Sequence, residues 1–490
     1  SGFFTVTNIA HIPTTLAGAK PDGAFAYPDK KPSLPKICRS PNMLRPERIN
    51  SFIGDGSSKM YHLDATELDS DVLAVYVDGV RIFENEGFIV NRVKGIVTFS
   101  TAPPIPLDNG VATNKDNVRI EFSKTVLGSA EKIKKCTIAT CYGIGTNDRI
   151  FFSGNPDFGA TDWHSELTDP SYIPELSETQ VGSDSSSIMG YSKVGEHLAI
   201  IKEDSPNDGT IFLRNGHYEN GASELLEAVF TLKQSASAKG AISKKAIGSL
   251  LGEALFLCSD GIFAITSNNA SSQKSVQNRS WFVDRLLTRE QNLSNAVCTE
   301  WNGLFLVCVN SHCYVLDGKQ NKAYLQKSYT DYVYECFYWD NIPAVCFLQL
   351  GSSLYFGTSD GRICRFNTDR TGMNRFSDCN KPIKSVWTTK NDDDGDFTRY
   401  KSLQKQGCTL ILKPYSKSSC SVNICTDGVN NVQVTNLSCD TAASNKVISI
   451  NKKVKNYVSV QIAVSNANLD EGMGVLGITK RYTKGKNVKV

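Results

Sequence analysis

The chain has 490 residues, of which 40% are hydrophobic and 21% are charged, a composition typical of globular proteins. Its 53 basic and 50 acidic residues give a formal net charge of +3, which argues against a surface that binds nucleic acid everywhere. No stretch approaches the run of about 18 apolar residues that a membrane-spanning helix needs. The length predicts about three domains.

The N-terminal part of the chain predicts an arm followed by a small domain. Residues 1–45 are rich in proline, which predicts an extended lead-in arm. They also lack the basic start and the long apolar centre of a signal peptide. Residues 46–124 alternate apolar and polar residues, with turn signals at Asp78-Gly79 and Lys94-Gly95. This second pattern predicts a small β-sandwich.

One pattern recurs along residues 125–405: an apolar strand, a short polar turn and a second apolar strand. Its turns contain Asp-Gly or Asn-Ser, which tolerate positive φ. A hairpin that returns about every 50 residues is half of a four-stranded blade, so the pattern predicts a β-propeller, with a generic β-sandwich as the alternative. Continuous apolar runs such as LFLCS and VCFLQL predict blades that are buried on both faces. The copies begin at Arg149, Leu198, Leu255, Leu304 and Leu354, at intervals of 49 to 57 residues.

Residues 406–490 contain four further apolar strands and a basic end, which predict a C-terminal β-sandwich with a basic tail. A sixth blade could come from Val386–Thr389 with Leu410–Leu412, or from N-terminal strands. Helical patterns are confined to Ser223–Phe230 and Asp284–Asn295. The predicted fold is therefore all-β: a β-propeller with an inserted or preceding small β-sandwich and a C-terminal β-sandwich.

The fifteen cysteines include no C-x-x-C pair and do not cluster with the six histidines. Tetrahedral zinc needs such clusters, so the sequence predicts no zinc site. Many of the cysteines lie inside apolar runs, where a free thiol behaves as a small hydrophobic side chain. They predict reduced thiols in a protein made in a cytoplasm.

Motifs for catalysis are scarce, and the sequence predicts no catalytic residue, no cofactor and no metal. Ser259-Asp260-Gly261 and Ser359-Asp360-Gly361 resemble aspartate-box turns but place Asp and Gly side by side, so they predict ordinary hairpin turns. The acidic run Asp392–Asp396 lacks the spacing of a calcium loop and predicts a solvated turn. His164 stands alone in a loop and predicts packing rather than chemistry.

Two surface features leave binding of a glycan or of phosphate groups open as alternatives. The aromatic stretch that begins at Ser328 could stack against glycans, although packing between blades is the favoured interpretation. The basic end could contact phosphate groups, although such tails are more often solvated. The possible contacts with DNA or a partner are Lys480, Arg481, Lys484, Lys486 and Lys489.

Long motifs also carry a resemblance to a known family. The segments RINSFIGDGSSKMYHLDATELDS, NDRIFFSGNPDFGATDWHSELTDPSYIP and EWNGLFLVCVNSHCYVLDG resemble the stabilisation proteins of tailed bacteriophages, and EGMGVLGITKRY is similar to the family's C-terminal signature. The resemblance implies a structural virion protein that is not an enzyme. It implies a homo-oligomeric ring, by analogy a hexamer, that contacts the portal, the adaptor or other tail proteins and stabilises packaged DNA in the tail.

Two other function classes remain open. A tail-associated carbohydrate-binding module that contacts the host envelope would expose clustered aromatic residues on one face. A propeller glycosidase would need two carboxylates about 5–5.5 Å apart for a retaining mechanism, or about 6.5–9.5 Å apart for an inverting one.

Overall fold

The fold is all-β, as predicted, and most of its strands are antiparallel. One compact unit extends to Leu350 and includes Leu354–Cys364, and a second comprises Gly351–Ser353 and the chain from Arg365 onward. The computed structural model describes residues 36–37, 40–71, 73–113, 115–205, 209–220, 226–237, 239–267, 274–323, 332–368, 376–413, 418–428, 430–439, 445–469 and 472–488.

In the first unit, ten strands precede the repeats, and eight of them form two sheets around one core. The sheet orders are β1-β2-β10-β4-β5 and β3-β7-β6, with a separate hairpin of β8 and β9. Phe52, Tyr61, Val97 and Ile120, which come from both sheets, pack in the shared core. The strands are β1 Lys36–Ile37, β2 Glu47–Phe52, β3 Met60–His62, β4 Ala74–Val77, β5 Val80–Ile82, β6 Phe88–Asn91, β7 Ile96–Phe99, β8 Leu107–Asp108, β9 Val111–Ala112 and β10 Val118–Ser123.

Five antiparallel sheets, here called repeat sheets 1 to 5, follow the short helix α1 (Ser129–Lys134). In each of them the strands pair in chain order, and each predicted repeat contains the second strand of one sheet. Repeat sheets 1 and 2 comprise β11 Ile138–Tyr142, β12 Arg149–Ser153, β13 Thr161–His164, β14 Thr179–Gln180, β15 Ile188–Val194, β16 His197–Lys202, β17 Gly209–Asn220 and β18 Leu226–Ser237. Repeat sheets 3 to 5 comprise β19 Ile247–Leu250, β20 Glu253–Cys258, β21 Gly261–Ser267, β22 Lys274–Asn278, β23 Val297–Trp301, β24 Leu304–Val309, β25 His312–Ala323, β26 Tyr332–Trp339, β27 Cys346–Leu350, β28 Ser353–Gly357 and β29 Ile363–Arg365.

The first strands of successive repeat sheets are neighbours, so the sheets follow one another side by side. The apolar run LFLCS in β20 is buried up to Cys258, as predicted. The run VCFLQL is not, because Leu348 and Leu350 in β27 are 62% and 66% exposed. The prediction that both runs are buried is therefore wrong for repeat sheet 5. An apolar run shows that a strand can be buried, whereas tertiary structure decides whether a neighbour covers it.

Both predicted helices need correction. Leu226–Phe230 belongs to strand β18, which forms a long hairpin with β17, and residues 223–225 lie outside the described part of the chain. The predicted helix Asp284–Asn295 is reduced to helix α2, Asp284–Leu287, and a 3-10 turn at Leu293–Asn295. Another 3-10 turn covers Glu175–Ser177. Pairing with β17 overrode the local helix propensity of β18.

The second unit contains two sheets around one core and a separate hairpin of β30 and β31. Leu410, Val422, Tyr457 and Ile462 contribute to the core. The sheet orders are β32-β38-β34-β35 and β36-β33-β37, and β39 also pairs with β33. The predicted boundary between residues 405 and 406 falls inside β33. The strands are β30 Ser377–Asp378, β31 Lys381–Pro382, β32 Ser385–Thr388, β33 Arg399–Leu412, β34 Ser418–Thr426, β35 Asn430–Cys439, β36 Lys446–Ile450, β37 Val454–Tyr457, β38 Val460–Asn466 and β39 Val475–Asn487.

Candidate functional site

Polar side chains lie together at one edge of repeat sheet 3, where β20 ends, β21 begins and β22 ends. Cys258 at the end of β20 pairs with Gly261 at the start of β21, and Phe263 in β21 pairs with Asn278 at the end of β22. The Ser259-Asp260 turn and the segment that follows Asn278 therefore lie at the same edge. We call this edge, with the side chains of Asp260 and Asp284, the carboxylate edge.

Asp284 begins helix α2 and is held in place by two donors. The Ser280 hydroxyl donates to Oδ1, and the Asn278 amide donates to Oδ2 over 2.6 Å. The carboxyl lies directly against the hairpin turn, because a Cβ atom on Gly261 would be 2.4 Å from Asp284 Oδ1. Position 261 therefore requires glycine, which also accommodates its φ of 140°.

Asp260 differs from Asp284 in its environment. Its side chain is 58% exposed and forms an ion pair with Lys239, whose pKa is raised mainly by the hydrogen bond from its ammonium group to Asp260. Asp284 is half-buried. Burial, together with the negative charge of Asp260, raises the pKa of Asp284 despite the hydrogen bonds from Ser280 and Asn278. One carboxyl is thus biased towards its protonated form beside a second that is paired with a cation.

Asp204, from the end of β16 in repeat sheet 2, anchors the turn that carries Asp260. Its carboxylate accepts a hydrogen bond of 2.7 Å from the Ser259 hydroxyl and one of 3.0 Å from the Gly240 N–H. Although burial acts to raise the pKa of Asp204, these donors outweigh it and lower the pKa. The turn is therefore tied to the neighbouring sheet as well as to its own.

Two aromatic residues precede Asp284 in the chain. Trp281 and Phe282 lie between Ser280 and Asp284 in the chain, and they are 55% and 52% exposed. Large exposed aromatic side chains next to polar groups are typical of ligand-binding surfaces. Two carboxyl groups in different environments and two exposed aromatic residues thus belong to the same part of the chain.

The sequence identified the Ser259-Asp260-Gly261 turn but not its partner. Asp284 is 24 residues away, in a segment predicted to be an unremarkable helix. No local signal connects the two residues, because the antiparallel path of β21 and β22 brings them together.

The aromatic stretch that begins at Ser328 is partly buried and partly exposed. Val333 and Tyr334 are buried, whereas Phe337 and Tyr338 are 44% and 42% exposed.

The predicted basic contact residues lie in β39, apart from Lys489, which is outside the described residues. Lys480 and Lys484 bind the acidic run Asp392–Asp396, a contact that the sequence does not predict. Lys480 donates 2.8 and 2.7 Å hydrogen bonds to Asp392 and Asp394, and Lys484 forms an ion pair with Asp396. Arg481 and Lys486 are exposed. A contact of this set with DNA or a partner stays a prediction.

His164 packs against other rings of the first unit, but it is the last residue of strand β13, whereas the sequence predicted a loop there. Its ring centroid lies 5.1 Å from that of Phe151 and 5.0 Å from that of Phe230. Burial, followed by the nearby charges of Arg214 and Arg149, lowers the pKa of His164 to about 4, although its hydrogen bond with the Ser165 carbonyl acts to raise it. The imidazole is therefore a neutral packing group near neutral pH.

The described residues hold no group of three His, Cys, Asp or Glu side chains that could bind a metal ion. Thirteen of the cysteines in this part of the chain are free thiols. None of the helices in this part of the chain is long and apolar enough to cross a membrane.

No family model and no curated protein matches this chain. Similar solved structures include an exo-β-1,3-galactanase from Phanerochaete chrysosporium with galactose, at 8% identity over 70% of this chain and 94% of that one, with a TM-score of 0.23. A glycoside hydrolase family 43 arabinoxylan arabinofuranohydrolase from Bacillus subtilis is 9% identical over 95% and 97% of the chains, with a TM-score of 0.21. The dihydro-heme d1 dehydrogenase NirN is 11% identical over 81% and 79%, with a TM-score of 0.28.

These comparisons contradict two predictions. The chain was expected to be a structural bacteriophage protein, or else a tail-associated carbohydrate-binding module, and not to be an enzyme, whereas the similar structures named above are enzymes, two of them acting on glycans. They do not support a virion location either. The family resemblance, the ring of identical subunits and its virion partners stay predictions. Similarity at this level carries no argument about activity, which must rest on this chain's own side chains.

Proposed function

We propose that this chain is a carbohydrate-active enzyme that hydrolyses glycosidic bonds at the carboxylate edge, and that its five repeat sheets are the blades of a propeller. The propeller arrangement is supported by the antiparallel sheets that recur about every 50 residues and by the adjacency of their first strands. The hydrolytic function is supported by a single observation, the juxtaposition of Asp260 and Asp284 in contrasting environments.

Glycoside hydrolysis uses two carboxyl groups with different protonation. Asp284 acts as the general acid: its O–H protonates the glycosidic oxygen as the bond from that oxygen to the anomeric carbon breaks. Asp260 is the ionised carboxylate that either takes a proton from the attacking water or attacks the anomeric carbon itself. If Asp260 acts as the base, water supplies the hydroxyl group of the new reducing end, its proton goes to Asp260, and both side chains regain their starting protonation by exchange with solvent. If Asp260 attacks the anomeric carbon, water then cleaves the glycosyl–Asp260 ester, which frees the Asp260 carboxylate, and the proton of that water returns to Asp284.

The surroundings of the pair also suit a sugar. A pyranose ring has apolar C–H faces and hydroxyl groups around its edge, so it is bound by aromatic rings together with hydrogen-bonding side chains. Trp281 and Phe282 supply exposed rings, and Lys239 supplies a donor beside Asp260. The edge therefore contains binding groups next to the proposed acid and carboxylate.

The test is release of reducing ends by the full chain from arabinoxylan, β-1,3-galactan and cellulose oligomers. We expect Asp284→Asn and Asp260→Asn each to lower kcat by about 10²- to 10⁴-fold on the substrate that is cleaved. Proton NMR of the fresh product gives the stereochemical outcome, which distinguishes the two roles of Asp260.

Asp360→Asn is the matched control. Asp360 occupies the corresponding Ser-Asp-Gly turn of repeat sheet 5, but there it bonds to Thr358 and Arg362. Activity of the Asp360 variant should equal that of the wild type. Full activity of Asp284→Asn, or no release of reducing ends from any of these glycans, would contradict the proposed function.

A further inference from the structure

A second polar and aromatic cluster lies at the corresponding turn of repeat sheet 4. Its centre is Glu290, whose Oε1 interacts with His312 Nδ1 at 2.6 Å and accepts a hydrogen bond of 2.7 Å from the Tyr314 hydroxyl. Its Oε2 accepts a hydrogen bond of 2.9 Å from the Asn310 amide. Although burial acts to raise the pKa of Glu290, these partners lower it, so the carboxylate is ionised near neutral pH.

Tyr338 provides an exposed ring beside this carboxylate. The ring is held by two neighbours, His312 at 5.4 Å and Tyr314 at 5.5 Å between centroids, and its side chain remains 42% exposed. His312 is also partly open, with 38% of its side chain exposed. Burial and the negative charges of Asp340 and Glu290 raise the pKa of Tyr338, which keeps its hydroxyl protonated. An aromatic face and several hydrogen-bonding groups thus meet at one place.

The chain connects this cluster directly to the carboxylate edge. Asp284 and Glu290 belong to one short segment that begins with helix α2 and continues in turns, in which Glu290 N–H bonds to the Leu287 carbonyl. At the rise of α- and 3-10-helices, six residues span about 9–12 Å. A short oligosaccharide is as long as this backbone separation between Asp284 and Glu290.

We infer that Tyr338 and His312, with Glu290 behind them, form a second glycan subsite that binds the part of the sugar chain beyond the bond cleaved at the carboxylate edge. This inference rests on the proposed function for the class of ligand. The ring of Tyr338 stacks on the C–H face of a sugar, and the exposed edge of His312 and the Asp340 carboxylate bond to its hydroxyl groups. The subsite therefore selects longer chains over short ones.

The test uses Tyr338→Ala, with Phe337→Ala as the matched control. Phe337 is the preceding residue in β26 and is equally exposed at 44%, but it lies on the opposite face of the strand. Calorimetric titration of the full chain carrying Asp284→Asn measures binding of xylohexaose, cellohexaose and chitohexaose without cleavage. We expect Tyr338→Ala to weaken hexasaccharide binding about tenfold, Tyr338→Phe to retain it, and Phe337→Ala to leave it unchanged.

Glycans of different length distinguish a defect in the subsite from a defect in the proposed catalysis. Tyr338→Ala should lower kcat/KM on the hexasaccharide that is cleaved while leaving it unchanged on the matching aryl monoglycoside, which is too short to reach repeat sheet 4. Equal affinity of Tyr338→Ala and wild type for every hexasaccharide, or no binding of any of them, would overturn the subsite. Loss of hydrolysis in Asp284→Asn with unaltered hexasaccharide binding in Tyr338→Ala would leave the proposed function intact and reject only the subsite.

Discussion

The guanidinium of Arg214 and the carboxylate of Asp162 form two hydrogen bonds, of 2.6 and 2.9 Å, between repeat sheets 2 and 1. Each side chain is only 1% exposed. The Tyr191 hydroxyl donates to the same carboxylate at 3.1 Å, and the guanidinium lies 4.8 Å from the ring centre of Phe151. A bidentate ion pair enclosed in this way fixes the two sheets relative to each other.

Removal of one partner of this pair should be strongly destabilising. Arg214→Met leaves the Asp162 carboxylate buried without its cation, and we expect the free energy of unfolding to fall by about 3–5 kcal/mol. Chemical denaturation measures the change. Arg362→Met is the control, since the Arg362–Asp360 pair is 64% and 56% exposed and should contribute less than about 1 kcal/mol. Equal effects of the two variants would show that burial does not set how much the Arg214–Asp162 pair contributes to the free energy of unfolding.

His164 should make the first unit less stable in mild acid. Its pKa of about 4 in the folded chain lies below the ordinary value of 6.5, so the unfolded chain binds the proton more tightly. The stabilisation by neutral His164 is fully present above pH 6.5 and is lost as the pH falls towards 4. His164→Phe should remove about 2 kcal/mol of the decrease in unfolding free energy between pH 7 and pH 4.5. The exposed His62→Asn is the control, and identical pH profiles of wild type and His164→Phe would disprove the prediction.

Gly261 tests the geometry of the carboxylate edge without changing either carboxylate. In Gly261→Ala the new methyl group meets Asp284 Oδ1 and the Ser280 hydroxyl, so the acid must move. A displacement of this kind should lower kcat by about 10²-fold. Gly361→Ala is matched, because Gly361 also has positive φ but no atom lies near its Cβ position. Both variants should lose some stability, and only Gly261→Ala should lose activity on the substrate that is cleaved.

The cysteines should divide into two classes by reactivity. Cys141, Cys346 and Cys379 are exposed, whereas Cys308 and Cys313 are buried and face each other across the hairpin of β24 and β25. Burial, reinforced by the contact with Cys313, raises the pKa of Cys308 far above its usual range, so little reactive thiolate forms. Iodoacetamide followed by mass spectrometry should label the exposed three in the native chain and the buried pair only after unfolding. Rapid native labelling of Cys308 would contradict this arrangement.

Lys480 should stabilise the second unit more than its basic neighbours do. Its ammonium group bonds to Asp392 and Asp394, and its side chain is 17% exposed. Lys480→Met leaves the two carboxylates facing each other, and we expect the free energy of unfolding to fall by about 2–3 kcal/mol. Lys486→Met, at an exposed position of the same strand, should change it by less than about 0.5 kcal/mol. Similar losses in both variants would contradict a specific role for Lys480.

The repeated hairpins follow from local sequence. Adjacent strands that flank a two-residue turn interact locally, so the apolar runs and the residues that tolerate positive φ are sufficient to specify them. Asn310 and Ser311, for example, join β24 to β25 with φ values of 50° and 66°. The same local reasoning identified the turn that contains Asp260 and predicted that His164 packs.

The remaining features depend on how strands pair and pack, which the local sequence does not specify. The pairing of β17 with β18 made a strand of the predicted helix at Phe230, and β27 stayed exposed although its sequence is apolar. The same holds for Lys480, which the fold of the second unit directs to Asp392. Asp284 meets Asp260 only because β21 and β22 return the chain to the same edge. Composition and spacing carry no information about such encounters, because a long-range contact is specified by the whole set of packed strands.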